Sequence, residues 1–219
     1  MTRKTANLIS ALLIAAASVG IALVYSKMPE TVATHWNAAG EADGFSSRLT
    51  GALLGPASAS LIWLVMWLIP KISPKGFQTH EFSSVIHVFQ VVMVIFMLGV
   101  GAIVVLTALG YEISTERIVP AATGLLFIIL GNYFAKVRKN FFVGIRTPWT
   151  LASDEVWART HRMAGYCFVL GGLALVVLGI TGAGLIPLLA ISMLAGMLPV
   201  AYSFFLYRQI EGFDNGQER

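Results

Sequence analysis

The chain has 219 residues, of which 57% are hydrophobic and 12% charged, with a mean hydropathy of +0.77. A soluble domain usually carries about a quarter charged residues, so the composition excludes an ordinary soluble domain and points to one polytopic integral membrane protein. The net charge of +4 does not indicate a direct nucleic-acid partner, because the basic residues sit at the ends of apolar runs, where orientation in the membrane accounts for them.

The first uncharged run is Thr5–Ser26, preceded by Arg3 and Lys4. It exceeds the roughly 7–15-residue apolar core of a signal peptide and lacks a small-residue cleavage site. It is therefore read as an uncleaved first transmembrane helix. Lys27–Arg48 is polar and turn-rich, with Pro29, Gly40 and Asp43-Gly44 as punctuation. Its candidate functional residues are His35, Trp36, Asn37, Gly40 and Asp43. A His, an Asn and an Asp so close together could bind a cation, but no Cys or second His joins them. The spacing predicts a loop closed by Asx and glycine turns, holding no metal.

Leu49–Pro70 is the second span. Its Gly51 and Gly55 form a GxxxG pair that could admit a close neighbour, although chance explains one such pair in a chain with 21 glycines. After the connection Lys71–Glu81, the charge-free run Phe82–Tyr111 is longer than the roughly 20 residues that hydrocarbon requires. Its early polar residues Ser83, Ser84, His87 and Gln90 are expected at the interface. The short acidic connection Glu112–Arg117 leads into a fourth span, Ile118–Ala135, with Asn132 near its exit. Met163–Tyr207 is uncharged and long enough for two more crossings, turning at Gly182-Ala183-Gly184 and Pro187. A polar tail begins at Arg208.

The expected fold is thus all-α, a polytopic protein of six transmembrane helices. Residues 1–80 form an N-terminal two-helix region, and residues 81–219 a four-helix region with a basic hairpin at 136–162. With a cytoplasmic N-terminus, the inside segments carry Arg3, Lys4, Lys71, Lys75, Lys136, Arg138, Lys139, Arg146, Arg159, Arg162, Arg208 and Arg219, and the outside segments only Lys27, Arg48 and Arg117. This asymmetry predicts that both termini and the hairpin are cytoplasmic and that the His35 loop faces out.

The stretch Gly131–Arg162 holds six of the fifteen Lys and Arg residues, in a chain with few other places for chemistry. Gly144 and Pro148 interrupt any helix there, and Pro148 biases Thr147 to an extended conformation. Ser153-Asp154-Glu155 reads as a helix start, a capping residue followed by two acids in the positive first turn. Beyond it Val156, Trp157, Thr160, His161 and Ala164 share one face, with Arg159 and Arg162 elsewhere. Trp149 and Trp157 suit a membrane boundary. The basic residues could serve topology and lipid phosphates alone. Alternatively, Asn140, Arg146, Arg159 and His161 converge on an anion or a partner, for which the planar fork of arginine is suited. Arg146 and His161, on opposite arms, are expected to meet across one cytoplasm-facing pocket. The candidate binding set is Asn132, Asn140, Gly144, Arg146, Thr147, Pro148, Trp149, Trp157 and His161. No catalytic residue, metal site or cofactor is indicated. No span carries a central Asp, Glu, Lys or Arg, which argues against a proton-driven transporter.

The ordered string Gly131-Asn132, Lys136-Val137-Arg138-Lys139-Asn140, Gly144-Ile145-Arg146-Thr147-Pro148-Trp149-Thr150-Leu151, Val156-Trp157 and Thr160-His161-Arg162 resembles the signature of the SdpI family, which takes its name from an immunity protein against a sporulation-delaying peptide toxin. Upstream, Met28-Pro29, His35-Trp36-Asn37, Gly40 and Asp43-Gly44 resemble a small domain of unknown function that often precedes the SdpI-type region. The resemblance implies a multi-pass protein of the bacterial cytoplasmic membrane, in contact with lipids, whose partners are an extracellular toxin peptide and a cytoplasmic transcriptional repressor. The leading expectation is a non-enzymatic immunity and signal-transduction protein. The alternative is a carrier or flippase for an amphiphilic anion or lipid-linked substrate. A third reading, an enzyme on a lipid-linked phosphate with His161 as acid or base, is weakened by the lack of a nucleophile or an acidic metal cluster.

Overall fold

The computed structural model describes residues 1–37, 39–74 and 79–212. Lys75, Arg219 and the end of the polar tail, which enter the charge count above, lie outside them. Six described helices are long and apolar enough to cross a membrane: α1 (Arg3–Val24), α2 (Arg48–Ile72), α3 (Ser83–Ala108), α4 (Thr115–Phe134), α6 (Asp154–Thr181) and α7 (Leu185–Ile210). They coincide with the six spans read from the sequence. A short helix, α5 (Pro148–Ala152), lies in the basic hairpin.

The polar segment between α1 and α2 is more ordered than a loop. It forms an antiparallel pair, β1 (Thr31–Trp36) and β2 (Ala42–Ser47), with Val32 opposite Ser46 and His35 opposite Gly44. The β-branched residues Thr31, Val32 and Thr34 favour the first strand. The Asx turn expected at its end is present: Asn37 Oδ1 accepts the backbone N–H groups of Ala39 and Glu41 at 2.9 and 3.0 Å, and Gly40 takes φ +80°. Val32 and Met28 are buried with Ala52, Val104 and Val105, which seats the hairpin on the ends of α2 and α3.

The helices pack in two groups. In the first, α2 crosses α3 where Gly55 meets Gly101, so closely that a Cβ on either would collide with the other backbone. Gly51 faces Val32 and Val104. The GxxxG pair is therefore in use on both residues, and the chance reading is corrected: backbones approach this closely in lipid only where side chains are absent. Helix α1 is fastened to this pair by polar groups. Gln90 Nε2 donates to Asn7 Oδ1 (3.2 Å) and Ser10 Oγ (3.0 Å), and Trp63 Nε1 donates to the same Asn7 oxygen (3.0 Å). Gln90 is buried between helices, and His87, also buried, bonds the carbonyl of Met1 through Nδ1. These two residues join elements at one end of the bundle.

In the second group α4 and α6 run antiparallel along a glycine seam. Gly131 faces Gly165, Gly124 faces Gly172, and Gly179 faces the backbone of Arg117 and Ala121. The glycines recur every seven residues on each helix, which keeps them on one stripe. Helix α7 packs on α6 and α5. A cluster built from Ile69, Phe82, Ile86, Phe89, Phe134 and Trp157 joins the two groups at the end that carries the basic hairpin. The N-terminus and the α2–α3 connection lie at that same end, and the β-hairpin lies at the other. The basic residues among those described thus divide between the two ends of the bundle.

Candidate functional site

The basic hairpin is folded around side chains whose polar atoms are consumed by its own backbone. Asn140 is fully buried. Its Oδ1 accepts the N–H groups of Phe142 (2.8 Å) and Val143 (2.7 Å), and its Nδ2 donates to the carbonyls of Arg138 (2.8 Å) and Val143 (3.0 Å). One amide side chain thereby closes a loop that no helix or sheet stabilises, meeting the demand that buried backbone groups be paired.

Thr147 opens α5. It accepts from the N–H of Thr150, while Thr150 Oγ1 accepts from the N–H of Thr147, a reciprocal cap with Pro148 in the first turn. Thr150 Oγ1 also donates to the carbonyl of Ile145 (2.8 Å), and Thr147 Oγ1 meets Ser203 Oγ of α7 (3.0 Å). Trp149 packs edge-on against Phe204 of α7. Ser153 caps α6 as expected, accepting from Val156, and Lys139 bridges to Asp154.

On α6 the predicted shared face is buried: Val156, Trp157, Thr160, His161 and Ala164, with Arg159 and Arg162 exposed. Trp157 Nε1 donates to the carbonyl of Val137 (2.8 Å). The indole stacks on the imidazole of His161, with centroids 4.1 Å apart. His161 has no exposed surface. Its Nε2 accepts the N–H of Ile145 (3.0 Å) and its Nδ1 lies 2.9 Å from the Trp157 carbonyl. This places the ring proton on Nδ1. Gly144, at φ +106°, brings the backbone over the ring, where a Cβ would collide with Nε2.

Among the described recesses, His161 and Arg146 therefore do not share a pocket. The imidazole lies beneath residues 144–145 with both nitrogens engaged, and neither recess that Arg146 lines includes it. Arg146 is exposed and donates through Nη1 to the carbonyl of Phe141. Asn132, also exposed, donates to Ile128 one turn back on its own helix. The hairpin thus presents Lys136, Arg138, Arg146, Arg159 and Arg162 outward over an interior in which Asn140, Thr150 and His161 bond the hairpin's own backbone. Thr150 and Ser203 were missed in the sequence. The Thr-Pro-x-Thr spacing was a legible signal for the first, and nothing local marks the second.

At the other end His35 Nδ1 lies 2.6 Å from Asp43 Oδ1 across the strands, both well exposed. Asn37 also donates to Glu41. Trp36 packs toward the Met28–Val32 cluster. Gly40 abuts Glu116 at the start of α4. Among the described residues no group of three or more His, Cys, Asp or Glu side chains is placed to hold a metal ion.

Residues 136–203 match the SdpI/YfhL protein family, and residues 11–59 match a domain of unknown function, DUF1648. Over 208 residues, 94% of this chain and 98% of the other, the protein is 24% identical to "Immunity protein SdpI" of Bacillus subtilis (strain 168). No solved structure matches the chain. The hairpin that Asn140, Gly144 and His161 hold together lies within the matched region, and the chain is a multi-pass protein of the cell membrane, similar to the SdpI/YfhL family over residues 136–203 and to DUF1648 over residues 11–59.

Proposed function

We propose that this protein is a non-enzymatic membrane immunity protein that protects the cell membrane from a membrane-active toxin peptide. The observation that carries the reading is the end-to-end similarity to a protein named for immunity, 94% of one chain against 98% of the other. The orientation follows from the twelve-to-three division of basic residues, which sets the basic hairpin in the cytoplasm and the β-hairpin outside. The outer hairpin, with Phe45 and the His35–Asp43 pair exposed, is then the face that meets the peptide. The inner hairpin is the face that meets a cytoplasmic regulator. Its outward Lys and Arg residues suit an acidic partner surface, and its internally bonded loop is preorganised, which lowers the cost of binding.

The test is a deletion strain challenged with a panel of membrane-active peptides. Selective sensitivity, restored by the wild-type chain, supports immunity. Uniform sensitivity to all peptides would replace the reading with general envelope maintenance.

A further inference from the structure

Residues 142–146 do more than cover His161. They also roof a cleft of about 370 Å³ between the two helix groups. Its walls include Met66 of α2, Met93 of α3, Leu130 of α4, Phe168 of α6 and Gly196 of α7, and the one charged residue in its described lining is Arg146. A second recess, lined by Phe141, Thr147 and Val200, shares Gly144, Ile145 and Arg146 with the first. Arg146 therefore stands where an apolar cleft meets a more open one.

We propose that this cleft holds one acyl chain of an anionic membrane phospholipid, with its phosphate on the Arg146 guanidinium. Three observations select that occupant. The cleft lies within the span of the helices and its walls are hydrocarbon side chains, so a polar solute would find no partner for its hydrogen-bonding groups there. The charge at its end is a guanidinium that, among the described residues, gives only its bond to the Phe141 carbonyl. The rest of its five N–H donors remain for a phosphate, which the planar fork binds in a bidentate manner. The space is also not a by-product of close helix packing. A Cβ at Gly196 would meet nothing within 4 Å, unlike the glycines of the α4–α6 seam, so the small residue there leaves room that packing does not require. A cavity of this size lies in the ordinary range for ligand sites of about 300–1,000 Å³.

This inference does not rest on the immunity reading, and its test uses no toxin. The full chain is purified in detergent, stripped of lipid, and titrated with phosphatidylglycerol or phosphatidylcholine of the same acyl chains, with bound lipid counted by native mass spectrometry. The wild type should retain one phosphatidylglycerol in preference to phosphatidylcholine. Arg146→Gln should weaken phosphatidylglycerol binding roughly tenfold, the worth of one charged hydrogen-bonding partner, and erase the headgroup preference. Gly196→Leu, whose Cβ would meet nothing within 4 Å, should fill the cleft and weaken both lipids alike, and Met66→Trp should repeat that result from another wall. Arg162→Gln removes an exposed charge outside the cleft and should leave the binding of both lipids unchanged. Equal retention of the two lipids by the wild type would overturn the proposal, as would binding undisturbed by both filling variants or an Arg162→Gln loss matching that of Arg146→Gln.

Discussion

The backbone N–H of Ile145 donates to Nε2 of His161, sixteen residues later in the chain and on a different element. The bond holds the irregular loop onto α6, and it requires Gly144 beside it, because any Cβ at residue 144 would occupy the place of the imidazole nitrogen. His161→Ala leaves a buried N–H without an acceptor and opens a void beneath Trp157, so it should cost about 2–4 kcal/mol. Gly144→Ala should also destabilise, by the collision and by its φ of +106°. The two losses should not add. In the His161→Ala background the collision disappears, and Gly144→Ala should cost measurably less. Thermal unfolding of the four variants in detergent measures this coupling; strict additivity would show that the two residues do not interact.

Arg146→Lys separates charge from geometry. Lysine keeps the topogenic charge but loses the fork. Because the guanidinium is exposed, membrane insertion and melting temperature should stay near wild type. Protection in the challenge assay should be lost. Full protection by Arg146→Lys would reduce Arg146 to a topological anchor. The same assay on His161→Ala is informative only alongside its unfolding curve, since that residue acts through the loop it holds.

The orientation is checked by tags. Reporters at residues 40 and 115 should read outside, and reporters at residue 145 and the C-terminus inside. A cytoplasmic signal from residue 40 would reverse the arrangement.

In the β-hairpin the His35–Asp43 pair is expected to order the strands without holding a metal. Both side chains are largely solvated, where ion pairs contribute little. His35→Ala and chelator treatment should each leave the melting temperature unchanged. A stoichiometric metal in the purified protein that vanishes in His35→Ala would contradict this.

The glycine seam inverts the usual effect of Gly→Ala in a helix. At an open position the substitution gains helix propensity, by as much as about 1 kcal/mol. At Gly124 or Gly172 the new methyl would lie 2.5–2.6 Å from the facing carbonyl, so α4 and α6 must separate, with an expected cost of about 1–3 kcal/mol. Gly99→Ala and Gly20→Ala, which meet nothing within 4 Å, are the controls and should be neutral or stabilising. Equal effects at all four positions would mean that the seam does not set the helix spacing.

What was legible in the sequence was what hydropathy and capping encode locally. The six spans follow from uncharged runs of sufficient length, and the α6 start from Ser153-Asp154-Glu155. The buried face from Val156 to Ala164 follows from helical period, and the turn of the β-hairpin from Asn37 and Gly40. The second strand of the β-hairpin was not legible, because Ala42-Asp43-Gly44 has no strand preference and is held by pairing with β1. The seam was written in the sequence at seven-residue spacing, yet glycine is so common here that only the facing backbone gives the period its meaning. The site was half legible. Its residues could be picked out from their types, but not their roles, since Asn140 and His161 bond to backbone groups whose positions the side-chain pattern does not encode. For that reason His161 was expected in a pocket with Arg146 and is instead beneath the loop that carries it.

The bonds from Gln90 to Asn7 and Ser10 also bear on how the protein is made. Helix α1 enters the membrane some eighty residues of synthesis before Gln90 exists to receive it. Until then Asn7 has, among the described residues, only Trp63 of α2 as a side-chain donor, and before α2 arrives it must find a provisional partner in the insertion machinery or in lipid headgroups, at a cost that hydrocarbon imposes on any unpaired amide. The first helix to be inserted is thus not finally seated until the third arrives, and α1 is retained as a late-docking member of the bundle. Biogenesis should accordingly show a protease-sensitive intermediate in chains stalled before residue 90, and a resistant one soon after it.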